Sequence, residues 1–267
     1  GTATGYTVYS TAFLIAMVPH SVATVSLATA VLPRLSAHAA ADDLGALAKT
    51  LSAAMRSAYA VIIPFAALLP VVVYDLVRLG FGYGAARSSY TLFAPSLIVF
   101  GLALVFFTGH YMMLRGFYAM EQTRRVFLIQ CAVAATNVAM AWLLTRQIDP
   151  VDTAPRLAIA YACAYAVGAL VSYALLSRRV GGLNGAGLVR YGLRVLAAAV
   201  GAAAVAWGAM TLVHNWSSFG PWLTSAVALG TAGLLGLATY VGLARLLNLS
   251  EVTELTSLIT SRIPGRR

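Results

Sequence analysis

Charged residues divide the chain into long apolar runs. The charge-free stretches cover residues 1–33, 57–74, 88–114, 126–145, 157–177 and 195–244. A transmembrane helix needs about 20 apolar residues to cross roughly 30 Å of hydrocarbon, so the first five stretches each predict one span. The last stretch is long enough for two helices, and the turn residues Gly220 and Pro221 divide it. The pattern predicts an all-α, polytopic membrane protein with seven transmembrane helices.

The composition agrees with this pattern. Hydrophobic residues make up 60% of the chain and charged residues only 10%, whereas an average soluble domain carries roughly 25% charge. The class is therefore an integral membrane protein.

The distribution of basic residues predicts the orientation in the membrane. With seven spans, one face receives fourteen of the 18 lysines and arginines: Arg34, Lys49, Arg56, Arg115, Arg124, Arg125, Arg178, Arg179, Arg190, Arg194, Arg245, Arg262, Arg266 and Arg267. The other face receives Arg78, Arg87, Arg146 and Arg156. Cytoplasmic loops carry the excess of basic residues, so the first face and the C-terminus are predicted to be cytoplasmic. Topology and anionic lipid headgroups account for the net charge of +10 without a nucleic-acid partner.

The residues that catalysis or ion coupling would need are absent from the spans. All eight acidic residues lie in loops, at span ends or in the tail, although intramembrane carboxylates usually mark ion pathways. The only lysine, Lys49, lies in a loop, which excludes a retinal-type Schiff base. No histidine is spaced from another histidine or a carboxylate as in a metal site or catalytic triad. The sequence predicts no enzyme, no metal and no cofactor.

The first span contains a proline and a histidine in its interior, Pro19 and His20. The proline removes one backbone hydrogen bond and is expected to kink the helix beside an open, water-accessible cavity. Broken helices tend to line the central sites of transporters. Alternatively, Pro19 only bends the span and His20 bonds a neighbouring carbonyl. His110, near the end of the third span, is interpreted as structural.

Three motifs in the first half of the chain resemble those of a known family. They follow the first three spans in order and read "AVLPRLSAHAAADD", "LVRLGFGYGAARSS" and "LRGFYAMEQTRR". They resemble the MurJ/MviN family of lipid II flippases, most closely the actinobacterial type, within the superfamily of multidrug and oligosaccharidyl-lipid exporters. Spans four to seven fit that family by number, length and spacing.

The resemblance implies a domain organisation. The seven spans would correspond to helices eight to fourteen of a fourteen-helix flippase, and the chain would be a fragment without its N-terminal lobe. Residues 1–177 would form the C-terminal transporter lobe lacking its first helix, residues 178–247 two additional transmembrane helices, and residues 248–267 a cytoplasmic amphipathic tail. In that tail Ser250 is a candidate N-cap before Glu251 and Glu254.

The implied function is the translocation of lipid II, the lipid-linked peptidoglycan precursor, across the bacterial cytoplasmic membrane by alternating access. Partners would be lipid II, membrane lipids, the N-terminal lobe of the same protein and a cytoplasmic regulatory protein. The first alternative is a sister exporter for another lipid-linked oligosaccharide or for drugs and cations. The second is a non-transporting membrane scaffold that recruits cytoplasmic partners through its basic tail.

Charged residues gather after the third span, in "LRGFYAMEQTRRV" at 114–126. In one interpretation they form a short positive-inside loop in which Glu121 pairs locally. In the other they stand at the mouth of the cavity and attract a pyrophosphate headgroup through bidentate bonds. The candidate substrate contacts are Pro19, His20, Arg34, Arg115, Glu121, Arg124 and Arg125. Some family members carry an arginine shortly before the kink proline, but residues 13–18 here read "FLIAMV".

The last two spans are rich in small residues, at 195–210 and 228–244. Small residues allow helices to approach closely and leave shallow grooves. The resemblance implies a lipid-facing groove for the polyprenyl tail, with Gly201, Trp207, Gly233 and Tyr240 as wall residues. The alternative is that the two helices simply pack tightly on each other.

A polar stretch at 42–56 is amphipathic. Leu44, Leu47, Leu51 and Met55 share one helical face. The pattern predicts a helix that lies along the cytoplasmic interface and then turns up into the second span.

Overall fold

The computed structural model describes residues 5–84 and 87–253. Within these residues the fold is all-helical, and seven helical segments are long and apolar enough to cross a membrane. The predicted fold class and number of spans are therefore confirmed. The segments are Tyr6–Ala40, Leu44–Phe81, Tyr90–Ala119, Thr123–Thr145, Pro150–Val180, Gly185–Trp216 and Pro221–Leu246.

The first span consists of two helices, α1 (Tyr6–Pro19) and α2 (Val25–Ala40), joined by a π-helical turn at His20–Thr24. The remaining spans are built on single α-helices. These are α3 (Leu44–Phe81), α4 (Phe93–Ala119), α5 (Thr123–Thr145), α6 (Thr153–Val180), α7 (Gly185–Trp216) and α8 (Pro221–Leu246).

Short turns with specific caps separate the spans. The Asp43 carboxylate accepts a 2.8 Å bond from the Ala46 amide at the start of α3. Glu121 and Gly181 end α4 and α6 in the left-handed conformation, with φ of 56° and 74°. Because the spans alternate in direction, the turns at 40–44, 119–123, 180–185 and 246–250 share one end of the bundle. We call it the arginine-rich end, because most of the arginines lie there.

Helix α3 is longer than a bilayer requires. Its 38 residues correspond to about 57 Å at 1.5 Å per residue. The predicted apolar face at its start is correct, since Leu47, Leu51 and Met55 are buried. The predicted turn into the second span is wrong, because the same α-helix continues without interruption to Phe81. The buried face packs on the bundle from its first turns, so no separate interfacial segment forms.

Helix α4 lies at the centre of the first six helices, packed against α1, α2, α3 and α6. Edge-to-face aromatic contacts join these helices: the Phe100 ring centroid lies 5.1 Å from that of Tyr9 and 5.5 Å from those of Phe13 and Tyr161. Helix α5 packs mainly on α6. Helices α7 and α8 pack on each other and on α3.

His110 on α4 forms hydrogen bonds to α5 and α6. Its ring is buried, with Nδ1 2.9 Å from the Ser172 hydroxyl on α6 and Nε2 3.0 Å from the Gln130 side-chain oxygen on α5. Both ring nitrogens have partners, as a buried imidazole requires. The contacts support the structural interpretation of this histidine.

A polar cluster joins α3, α7 and α8 at the end opposite the arginine-rich end. Asp75 is buried, and its Oδ1 accepts a 2.6 Å hydrogen bond from the Ser225 hydroxyl. Nε2 of His214 lies 3.2 Å from the same oxygen, and Arg78 forms a 3.8 Å ion pair with it. The spacing of histidines along the sequence did not indicate this contact, because 139 residues separate His214 from Asp75.

Replacing Asp75 by Asn is expected to loosen the attachment of α7 and α8 to α3. The amide keeps an acceptor for Ser225 but removes the charge opposite Arg78 and His214, which should cost about 1–3 kcal/mol of stability. Thermal unfolding in detergent measures the effect. Asp152→Asn is the matched control, since Asp152 is exposed at the same end of the bundle. Equal thermal midpoints for the two variants would contradict the conclusion that the Asp75 carboxylate attaches α7 and α8 to α3.

Candidate functional site

The break in the first span lies at Pro19, where the sequence analysis predicted it. Proline supplies no amide hydrogen, and the backbone widens directly after it into the π-turn. There the Val25 amide bonds the carbonyl of His20, five residues earlier. Such turns inside α-helices occur frequently at functional sites.

The polar side chains of the turn face α4. His20 is 3% exposed and Thr24 fully buried. His20 Nδ1 lies 3.3 Å from the Thr108 hydroxyl, and its ring touches the rings of Phe107 and Tyr111, with centroids 4.6 and 5.0 Å away. In the described part of the chain both side chains are therefore buried against α4 and do not face open space. The opposite face of this span exposes apolar side chains, Leu14, Val18 and Val22.

A short polar column continues from His20 towards the arginine-rich end. The Arg115 guanidinium stacks on the Tyr111 ring, 4.4 Å from its centroid, and donates a hydrogen bond to the Tyr111 hydroxyl. The column consists of His20, Tyr111 and Arg115. Three atoms in the column and the adjoining π-turn are buried without a hydrogen-bond partner among residues 5–84 and 87–253: Nε2 of His20, Oγ1 of Thr24 and Nε of Arg115. Buried donors and acceptors without hydrogen bonds raise the free energy of the folded protein, so the column is suited to bind a polar ligand group or water.

Sequence reasoning missed Thr108 and Tyr111. They precede Arg115 by seven and four positions on α4, so all three side chains share one helical face. That spacing was available as a signal, but hydroxyl groups in an apolar span carry no charge and do not stand out in a charge map.

The other charged candidates do not join the column. Glu121 is exposed and forms no ion pair with a described arginine, so the predicted local pairing is wrong. Its backbone instead ends α4. Arg124 is exposed. Arg125 lines a separate cleft of about 490 Å³ between α5 and α6.

Arg34 is exposed near the end of α2 and lines a cavity of about 420 Å³ between α2 and α3. The other lining residues are Leu27, Ala30, Val31, Thr50, Ala53, Ala54 and Ser57. The structure thus brings together His20 and Arg115, which both contact the Tyr111 ring. Arg34 lies at the same end of the bundle as Arg115 but lines a different cavity.

An apolar groove of about 270 Å³ lies between α3, α7 and α8. Its walls are Ala60, Val61, Pro64, Phe65, Leu68, Ala199, Ala202, Gly233, Gly236, Leu237, Tyr240, Val241 and Val252. The Tyr240 hydroxyl donates a 2.6 Å bond to the Ala60 carbonyl and is thereby satisfied. A Cβ atom at Gly233 would have no neighbouring atom within 4 Å, so the groove is open there.

Two of the four predicted groove residues lie elsewhere. A Cβ atom at Gly201 would lie 2.7 Å from Cδ1 of Leu243, so this glycine allows α7 and α8 to pack closely. Trp207 is 62% exposed and is not among the residues that line the groove. Sequence reasoning also missed the third wall, which α3 provides through Pro64 and Phe65.

The beginning of the tail contributes one residue, Val252, to the lining of the groove. The chain is helical again at 250–253, and the Leu249 carbonyl accepts bonds from the Val252 and Thr253 amides. The helix therefore begins one residue before the position expected with Ser250 as its N-cap. Val252 lines the groove, and Glu251 forms a 3.8 Å ion pair with Arg56 on α3. Residues 254–267 of the predicted tail lie outside the described residues.

A comparison with protein families identifies the chain. The family model described as lipid II flippase MurJ matches residues 2–226, which takes in α1 to α7 and the beginning of α8. No solved structure matches the chain. Since the family match covers most of the sequence, the chain belongs to the lipid II flippase MurJ family.

Proposed function

We propose that these seven spans form the C-terminal part of a flippase that moves lipid II outward by alternating access. The family match supports lipid II as the substrate. The order of the three motifs and the number of spans support a correspondence with helices eight to fourteen of the family. The arginine-rich end, with the C-terminus, would face the cytoplasm, where basic residues concentrate in membrane proteins.

The observation that carries this proposal is the apolar groove between α3, α7 and α8. A polyprenyl tail has only hydrocarbon to offer, and it gains nothing from a polar cavity. Tyr240, the one wall residue with a polar side-chain group, has its hydroxyl bonded to Ala60, so the groove presents an apolar surface. The groove is open at the exposed Gly233, which suits a chain that stays in contact with the surrounding lipid.

The headgroup would approach the column of His20, Tyr111 and Arg115. A guanidinium donates bidentate bonds to pyrophosphate oxygens, and Arg115 has an unpartnered, buried Nε among the described residues. Arg34, also at this end, would contribute positive potential at the entrance. Pro19 would set the π-turn that follows it and so direct His20 towards α4.

Alternating access needs a second body against which this lobe moves. The face of the first span that carries Leu14, Val18 and Val22 is exposed and apolar, and it lies opposite the side that packs on α4. This face suits the N-terminal lobe as its partner. The tail after residue 248 would offer a docking point for a cytoplasmic regulatory protein.

Replacing Arg115 by Gln is expected to lower lipid II transport about tenfold or more, because a charge-assisted contact with pyrophosphate is worth roughly 1.5–3 kcal/mol. Arg115→Lys should keep part of the activity, since it retains the charge but loses the bidentate geometry. Transport of labelled lipid II by the intact flippase in liposomes measures both.

Arg146→Gln is the control for that experiment. Arg146 also stacks on an aromatic ring, 5.0 Å from the centroid of Trp142, but it lies at the opposite end of the bundle. Its replacement should leave transport close to the wild-type rate. Equal losses from Arg115→Gln and Arg146→Gln would show that Arg115 has no special role with the headgroup.

Bulky substitutions should distinguish groove from packing positions. Gly233→Leu is expected to reduce lipid II transport severalfold at normal abundance, because the new side chain enters open groove space. Gly201→Leu should instead lower abundance, because it collides with Leu243. Gly230→Leu is the matched control, since Gly230 is exposed on α8 and does not line the groove. Normal transport by a well-expressed Gly233→Leu variant would refute the tail site.

A further inference from the structure

A cleft between α5 and α6 at the arginine-rich end carries three cationic side chains. It has a volume of about 490 Å³ and lies apart from both the apolar groove and the His20–Arg115 column. Its lining residues are Arg125, Leu128, Leu175, Arg178 and Arg179. No carboxylate is among them, and none of the three arginines forms an ion pair with any residue that the structure describes.

The position of Arg125 is unfavourable within its own helix. It stands in the first turn of α5, which begins at Thr123 and has no acidic residue there. The helix dipole disfavours a cation at this end, by about 0.3–1 kcal/mol at an exposed position. Arg178 and Arg179, in contrast, lie in the last turn of α6, where the dipole favours cations. Arg125 also lines the same cleft as Arg178 and Arg179, and like charges repel each other. An anion bound among the three guanidinium groups would therefore lower their electrostatic free energy.

The part of the cleft nearer to the middle of the membrane is apolar. Leu128 follows Arg125 by one turn on α5, and Leu175 precedes Arg178 by one turn on α6, so both leucines lie on the side towards the middle of the membrane. They are 57% and 36% exposed within the described structure. The cleft therefore offers guanidinium groups at one level and bare hydrocarbon surface one turn deeper.

This order of charge and apolar surface matches one class of ligand. We propose that the cleft binds an anionic phospholipid, whose phosphate is held by Arg125, Arg178 and Arg179 and whose acyl chains cover Leu128 and Leu175. Guanidinium groups bind phosphate oxygens by paired, charge-assisted hydrogen bonds. Helix α5 packs mainly on α6 and only slightly on α4. A lipid that bridges α5 and α6 would therefore hold the most peripheral helix of the lobe in place.

The site is tested by measuring lipid binding to the intact flippase by native mass spectrometry, with phosphatidylglycerol and phosphatidylcholine of equal chain length. The wild type should bind phosphatidylglycerol severalfold more tightly. Arg125→Gln should weaken phosphatidylglycerol binding about tenfold and leave phosphatidylcholine binding unchanged. Arg125→Lys should have an intermediate effect, because lysine keeps the charge without the paired bonds.

Arg124→Gln is the matched control, since Arg124 neighbours Arg125, is exposed and does not line the cleft. Its effect on phosphatidylglycerol binding should stay within about twofold, as expected for loss of one screened surface charge. If Arg125→Gln fails to fold, Arg178→Gln should show the same selective loss, because it lines the same cleft.

Three results would overturn the proposal. Equal losses for Arg124→Gln and Arg125→Gln would show diffuse attraction to the membrane surface. Equal affinity of the wild type for the two lipids would show that the headgroup is not recognised. Unchanged phosphatidylglycerol binding with reduced binding of lipid II in Arg125→Gln would assign the arginine to the substrate path instead.

Discussion

In hydrocarbon, backbone amides and carbonyls find no water, so each must be bonded within its own helix. This constraint explains why seven long helices make up nearly all of the described chain. It also explains where the helical pattern is allowed to change. The π-turn at His20–Thr24 lies against α4, and its two polar side chains are buried in protein rather than facing lipid. The altered backbone is thus accommodated by directing its polar side chains onto α4, while the apolar Val22 of the same turn is exposed.

Lipid tails are as apolar as leucine, so the hydrophobic effect does little to hold one transmembrane helix on another. Specific polar contacts and close packing must do so. The pair α7–α8 is attached to α3 at three levels: by Asp75 at one end, by the Tyr240–Ala60 hydrogen bond in the middle, and by the Arg56–Glu251 ion pair at the other end. The apolar groove lies along this seam. The contacts that attach α7 and α8 to α3 therefore lie along the groove that we assign to the polyprenyl tail.

The sequence was sufficient for the features that each segment determines alone. Span number and the change of helical pattern after Pro19 follow from local hydropathy and from the missing proline amide, because each segment must by itself be apolar and long enough to cross the bilayer. Contacts between distant segments could not be predicted in this way. Asp75 and His214 are 139 positions apart, and helix rotation, which decides whether Gly201 or Gly233 faces the groove, is poorly specified when all faces are apolar. The charged segment at 114–126 likewise divides between two sites, because Arg115 lies in α4 and Arg125 in the first turn of α5.

The assignment of the groove to the polyprenyl tail is tested most directly by photo-crosslinking. Lipid II with a photoreactive group in its tail would be bound to the intact flippase, irradiated, and the labelled residues identified by mass spectrometry. The account predicts labelling of groove walls on two separate helices, Phe65 on α3 and Leu237 on α8, with little labelling of Trp207, which is as exposed as Leu237 but lies outside the groove. Labelling spread evenly over lipid-exposed residues, or concentrated on Trp207, would contradict it.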